Sequence, residues 1–244
     1  MNFTKTLVTL VVLSILAVGF GYWASKTKPA ATVPMQQTHV LAGEQVGEGD
    51  LYRYAESGQY YTVEANYPGS RPIIEAALKT DIDQFKQNIE GLDATVMPSL
   101  ADGNKLAFNA EFKTYTSGQL HTTSYAYTIY ENTGGAHPNT YFKTFTFDQN
   151  GKEVGIKEVI ASNPNGLEEL SLLVSNEVTA QMKQRLSQDD VTGAIFAEGL
   201  AAKEENFSNF VVDGDTLVIL IPPYQVAAYV MGSFEVRIKL KDIQ

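Results

Sequence analysis

SYAYTIYENTGGAHPNTYFKTFTFD, residues Ser124–Asp148, consists of two aromatic-rich runs joined by a glycine-containing loop. In Ser124–Glu131 the residues Tyr125, Tyr127 and Ile129 share one face, and in Tyr141–Asp148 the residues Tyr141, Phe145 and Phe147 do the same. Period-two alternation of this kind is a strand signal, so the stretch predicts a hairpin with Thr133-Gly134-Gly135-Ala136-His137-Pro138-Asn139 at its tip. A loop in that position is exposed and held by a stiff scaffold. Gly134 and Gly135 allow positive φ or a close backbone approach, while Pro138 fixes its own φ and holds His137 extended. The imidazole of His137 therefore has a defined direction. No acid, second base or nucleophile accompanies it locally, so the loop points to recognition and not to a reaction.

Outward from the hairpin, Leu106–Phe112 alternates through Leu106, Phe108, Ala110 and Phe112 and turns at Ser117-Gly118. Asp148-Gln149-Asn150-Gly151 is a turn signal on the other side, so the three strands are expected to form an antiparallel meander. Tyr60–Tyr67 alternates in the same way and stops at Pro68-Gly69. Ser70 is then placed to cap a helix with Pro72 in its first turn and an apolar stripe at Ile74, Leu78, Ile82, Phe85 and Ile89. Glu75, Asp81, Asp83 and Glu90 fall off that stripe, which predicts a solvated face and no catalytic carboxylate pair. A second helix opens at Asn163-Pro164, with Glu168 and Glu169 in its first turn and Leu170, Val174, Val178, Met182 and Leu186 on one face. Strands are expected at Asn206–Val212, Thr216–Ile221 and Phe234–Leu240, with Pro222–Gly232 as a helical turn or ordered loop between the last two. The fold class is α+β: antiparallel sheet or sheets with two amphipathic helices packed on one face, preceded by an N-terminal transmembrane helix.

That transmembrane helix is Leu7–Ala24, 18 residues without a charge, which span about 27 Å as a helix. A cleaved signal peptide is the competing reading, but the exit Gly21-Tyr22-Trp23-Ala24-Ser25 carries an aromatic pair suited to a membrane interface, which favours an uncleaved signal anchor. Residues 1–6 are then a short cytoplasmic tail, 25–49 a flexible tether rich in Pro, Gln and small residues, 50–100 a strand–helix region and 101–244 the larger domain. The expected location is the cell membrane, single-pass, with the C-terminal part outside the cytoplasm; secretion after cleavage is the alternative. His39, in the tether, is expected to be a solvated bystander.

The formal net charge is −10, yet Lys5, Lys26 and Lys28 lie in an N-terminal stretch without acids, so the remainder carries 15 basic against 28 acidic residues, a balance of −13. An acidic surface disfavours nucleic acid and favours basic partners, or serves solubility alone. The absence of cysteine excludes disulfides, thiolate nucleophiles, cysteine-based metal sites and a lipid-modified cysteine anchor.

The loop Gly134-Gly135-Ala136-His137-Pro138-Asn139, the pattern Phe145-x-Phe147-Asp148-x-x-Gly151, and Pro223-Tyr224-Gln225-Val226-Ala227 with Gly232 together resemble the RsiV-like extracytoplasmic domain. That domain occurs in a lysozyme-sensing anti-sigma factor and as an accessory domain of a peptidoglycan deacetylase. Tyr60–Asn88 is similar to the smaller region that precedes it in those proteins. The resemblance implies a membrane-anchored extracytoplasmic domain that binds or senses a cell-wall glycan or a basic protein such as lysozyme, with no catalytic residue. Only Met1–Thr6 precedes the apolar segment and the chain ends at Gln244, so neither sigma-factor binding nor a separate deacetylase domain is expected.

Three histidines, His39, His121 and His137, are too few and too scattered for a clustered metal site, and there is no HExxH, P-loop or nucleophile elbow. No cofactor and no metal are expected. The candidate ligand-binding residues are Gly134, Gly135, His137, Asn139, Tyr141, Tyr224 and Gln225. His137 is read as a hydrogen-bonded staple of its loop and Tyr224 as a buried anchor with its hydroxyl satisfied. The alternative is a cell-wall hydrolase or deacetylase using His137 with an acid brought near by folding; a purely structural envelope domain is a third reading.

Overall fold

The computed structural model describes residues 39–92 and 105–244. The apolar segment Leu7–Ala24 and the first part of the expected tether lie outside them; among the described residues no helix is long and apolar enough to cross a membrane. The described residues carry nine strands in two sheets. The larger has the order β1 (Glu44–Gln45), β2 (Leu51–Ser57), β3 (Tyr61–Pro68), β4 (Leu106–Ser117), β5 (Thr122–Asn132) and β6 (Asn139–Asp148). The smaller is β7 (Phe210–Asp213), β8 (Thr216–Ile221) and β9 (Phe234–Lys239). All neighbours are antiparallel except β3 and β4, which run parallel with Tyr61 opposite Leu106 because the chain crosses over through the helix α1 (Pro72–Glu90). The large sheet thus runs across the division expected near residue 100, and His39–Gln244 form one unit.

Each sheet has its own helix. On α1 the residues Ile74, Leu78, Ile82, Phe85 and Ile89 are buried as their spacing requires, against Val63, Ala65, Phe108 and Tyr127 of the large sheet. Phe85 lies between the edge of Tyr61 and the ring of Phe108, and burying a side chain of that size contributes about 2 kcal/mol. After the single-turn α2 (Ile156–Val159), the helix α3 (Gly166–Leu186) buries Leu170, Val174, Val178 and Met182 against Leu217, Ile219, Phe234 and Val236 of the small sheet. The two helices therefore do not share a face. The reason lies in β5, where Tyr125, Tyr127 and Ile129 point to α1 while Ser124 and Ala126 point the other way, to the small sheet. The layers run α1, large sheet, small sheet, α3.

Between the sheets the contact is a small apolar patch, to which Tyr115 and Leu220 also pack, flanked by hydroxyl bonds. Ala126 meets Val211 and Val218, the Val212 amide donates to Ser124 Oγ at 3.2 Å, and the Phe210 amide donates to Thr144 Oγ1 at 2.9 Å.

Several local expectations change. Ser70 does not cap α1; its hydroxyl donates to Asp50, and Arg71 takes the cap position without a side-chain bond, its guanidinium 4.7 Å from the Phe147 ring centre. Asn206–Val212 is not one strand, because a 3-10 turn at Glu204–Phe207 precedes β7. Glu75 is not on a solvated face. It is buried, accepts the Leu41 amide at 2.8 Å and lies 3.2 Å from His39 Nδ1. His39 is correspondingly no bystander, since its ring packs on Tyr52 with centroids 4.2 Å apart. The end of the expected tether is thereby fastened to the domain, and β1 adds a short edge strand to β2.

Candidate functional site

The hairpin loop forms where β5 ends at Asn132 and β6 begins at Asn139. Asn132 Oδ1 accepts the Gly134 amide at 3.1 Å, and Gly134 takes φ +82°, which a side chain would strain. This turn presents His137 to solvent. One ring nitrogen, Nδ1, lies 3.0 Å from the Pro138 carbonyl, and the other, Nε2, lies 3.2 Å from the Tyr224 hydroxyl. A carbonyl only accepts, so this network assigns the proton to Nδ1, and Nε2 accepts from the Tyr224 hydroxyl.

The second half of the site comes from the loop between β8 and β9. Pro222 and Pro223 stop β8, and a 3-10 turn at Tyr229–Met231 leads back to β9. Tyr229 stacks on His137 with centroids 3.8 Å apart and planes 17° from parallel, and its hydroxyl donates to the Pro138 carbonyl at 2.9 Å. Tyr224 lies 5.3 Å from Tyr229 and 6.3 Å from His137, centroid to centroid. The three rings make one aromatic surface from two loops distant in sequence. Tyr224 is 56 % exposed, so it is not the buried anchor expected, and its φ of +72° puts a bulky side chain in left-handed backbone. Such conformations cost about 1–3 kcal/mol and gather at functional sites.

The remaining candidates separate. Gly135 and Asn139 are exposed beside the histidine. Gln225 faces inward, where Nε2 donates to the carbonyls of Gly199 at 3.0 Å and Asn206 at 2.9 Å, so it braces the loop that carries Tyr224. Tyr141 is on the α1 side of the sheet, half-buried; burial pushes its hydroxyl pKa up, and the nearby carboxylates of Asp81 and Glu131 push it further. Burial, then Asp81, also raises Glu131, while Asp81 is paired with Lys143 at 2.6 Å. The structure thus unites His137 and Tyr224, sets Gly134, Gly135 and Asn139 around them, and places Tyr141 and Gln225 elsewhere. Tyr229 is the residue that sequence reasoning missed: it lies in an irregular loop 91 positions from the carbonyl it bonds. Its one signal was its neighbourhood, an aromatic two residues before Met231-Gly232 in the segment that also carries Tyr224.

As a chemical device the arrangement is a stacking surface with donors and acceptors at its edges. Both nitrogens of His137 are taken up by a carbonyl and a phenol, and among the described residues no group of three His, Cys, Asp or Glu could hold a metal ion.

Residues 157–241 match the model of a family described as a protein of unknown function, DUF3298. The match begins in α2 and ends just after β9, so it contains α3, the small sheet and the Tyr224–Tyr229 loop but not His137. The chain is 28 % identical over 213 residues to the peptidoglycan-N-acetylmuramic acid deacetylase PdaC of Bacillus subtilis, across 84 % of this chain and 43 % of that protein. It therefore spans less than half the length of that relative. It is 20 % identical over 233 residues to a protein of Mycobacterium tuberculosis named as an esterase, across 94 % of this chain and 93 % of the other. A crystal structure of a DUF3298 family member from Bacteroides fragilis has a similar fold, with a TM-score of 0.50 at 16 % identity, covering 80 % of this chain and 90 % of that one.

Proposed function

We propose that this chain is an extracytoplasmic binding domain for a cell-wall glycan, held at the membrane by Leu7–Ala24, with Tyr224, His137 and Tyr229 as its recognition surface. The observation that carries the reading is the cluster of those three rings, exposed at His137 and Tyr224 and half-buried at Tyr229, whose faces are apolar and whose edges bear hydroxyl and imidazole groups. A sugar ring has the matching character, with C–H groups on its faces and hydroxyls at its rim, and each aromatic contact of this kind contributes about 1 kcal/mol. The likeness to a deacetylase whose name specifies peptidoglycan supports a cell-wall ligand. The purified full-length chain should co-sediment with peptidoglycan sacculi, and Tyr229→Ala should weaken that binding about tenfold while leaving the thermal unfolding midpoint within a few degrees. Equal sedimentation of the variant and the parent refutes the assignment.

Two other readings each have one observation behind them. The balance of −13 outside the N-terminal stretch favours a basic protein such as lysozyme as the ligand, in which case binding weakens steeply with salt. The relative named as an esterase covers nearly the whole chain and favours a hydrolase, with His137 as base and the Tyr224 hydroxyl beside it. Under that reading Tyr224→Phe and His137→Ala abolish ester turnover, and under the binding reading the parent has no turnover to lose.

A further inference from the structure

The small sheet covers only part of the outer face of the large one. Beyond the Ala126–Val211–Val218 contact a cleft of about 510 Å³ opens between β4, β5 and β6 on one side and the end of α3 with the start of β9 on the other. That volume is in the range of ligand sites. Tyr115 and Phe142, both half-buried, supply flat apolar wall. The charges around them cancel, with Lys113 and Arg185 set against Glu111 and Glu235. Arg185 is fixed in place, its guanidinium 3.9 Å from the centre of the Phe234 ring and bonded to the carbonyls of Met231 and Ser233 at 2.5 and 3.0 Å. Lys113 has no ion-pair partner among the described residues. A lining with no net charge, donors and acceptors in mixed order and two aromatic walls selects a neutral, polyhydroxylated ligand over an anion or a cation.

The position of the cleft gives it a connection to the aromatic surface. Phe142 is three residues beyond Asn139, about 10 Å along β6 from the end of the His137 loop. On the opposite wall, Ser233 and Phe234 follow the Tyr229–Met231 turn with only Gly232 between. Both walls of the cleft therefore begin where the two loops of the aromatic surface end.

We infer that the cleft is a second subsite on the same path, so that the ligand is an extended oligosaccharide lying from the Tyr224–His137–Tyr229 surface into the cleft. This rests on the glycan reading above and specifies its substrate class: an internal stretch of polymer, not a single terminal sugar. Tyr115 and Phe142 stack on the further sugars, and Lys113 and Glu111 bond their hydroxyls.

The test is calorimetric titration of the full-length chain with a length series of neutral N-acetylamino-sugar oligosaccharides, from disaccharide to octasaccharide. Affinity should rise by about tenfold or more along the series, and Phe142→Ala should remove most of that gain while leaving disaccharide affinity unchanged. Because Phe142 also packs within the protein, Lys113→Ala on an exposed side chain provides a second readout, expected to lower octasaccharide affinity severalfold with no change in unfolding midpoint. Affinity independent of length, or octasaccharide affinity untouched in both variants, overturns the inference. If disaccharide binding is present and lost in Tyr229→Ala while length has no effect, only the second subsite fails; if no oligosaccharide binds the parent, the glycan reading falls and the subsite with it.

Discussion

Replacing Tyr224 separates the role of its ring from the cost of its backbone. At φ +72° a residue with a Cβ carries about 1–2 kcal/mol of strain that glycine does not. Tyr224→Gly removes that strain, loses a solvent-exposed hydrogen bond to His137 worth about 0.5–1 kcal/mol, and pays about 0.5–1 kcal/mol in unfolded-chain entropy. The net change in stability is then within about 1 kcal/mol of zero. Tyr224→Ala keeps the strain and loses the same bond, so it should be the less stable of the two by about 1 kcal/mol, the reverse of the order in a helix or strand interior. Urea unfolding followed by far-ultraviolet circular dichroism measures both, with unchanged m-values as the check that only stability moved. Glycan binding should fall equally in the two variants because both lack the ring. An alanine variant as stable as the glycine variant, or more so, would refute the claim that this residue is held in left-handed backbone against its preference.

Glu56 tests a different part of the domain. Burial alone would raise its carboxyl, but the Lys86 ammonium and the hydroxyls of Tyr54 and Tyr61 bond it and hold the pKa at about 2. A folded pKa below the unfolded one stabilises the fold above about pH 4.5, and that contribution is lost as pH falls towards about 2. A drop of that size corresponds to about 3 kcal/mol, which solvent screening at a carboxylate 31 % exposed reduces to about 1 kcal/mol. Glu56→Gln should therefore be less stable than the parent at neutral pH, with the gap closing across that acid range; a pH-independent gap contradicts the assignment. At Gly199 an added Cβ would land on the Gln225 carbonyl oxygen, so Gly199→Ala should destabilise by about 1–3 kcal/mol and weaken glycan binding through the displaced Tyr224 loop. Binding unchanged in a destabilised Gly199→Ala protein would show that the brace is not needed for recognition.

How much of this was legible in the sequence depended on whether the signal was periodic. β5, β6, β8 and β9 and the buried stripes of α1 and α3 could be read directly, because alternation and three- to four-residue steps report which face is covered. β2 was missed because its inward face carries Tyr52, Tyr54 and Glu56, half-buried polar-edged residues whose pattern resembles a loop. Glu75 and His39 were misread for a related reason: 36 positions separate them, and helical spacing alone cannot announce an amide and a ring arriving from so far away. The second layer left a trace. Ser124 and Ala126 alternate with Tyr125 and Tyr127, and small residues on the far face of a strand are what close approach by another sheet requires. Two of the three rings of the aromatic surface were visible as His137 and Tyr224; that they meet, and that Tyr229 stacks on the imidazole, is tertiary information.

The meeting of the two sheets through Ala126, Val211, Val218 and a few hydroxyls has a consequence for how this protein can change over time. Because so little side-chain volume is shared across it, a repacking in one oily interior need not be answered in the other. Sequence on the two sides is then free to drift at separate rates, like two rooms behind a common but thin wall. The rings of His137 and Tyr229 are an exception, since they touch across loops from the two sides, and a change in either must be matched by its neighbour if the surface is to survive.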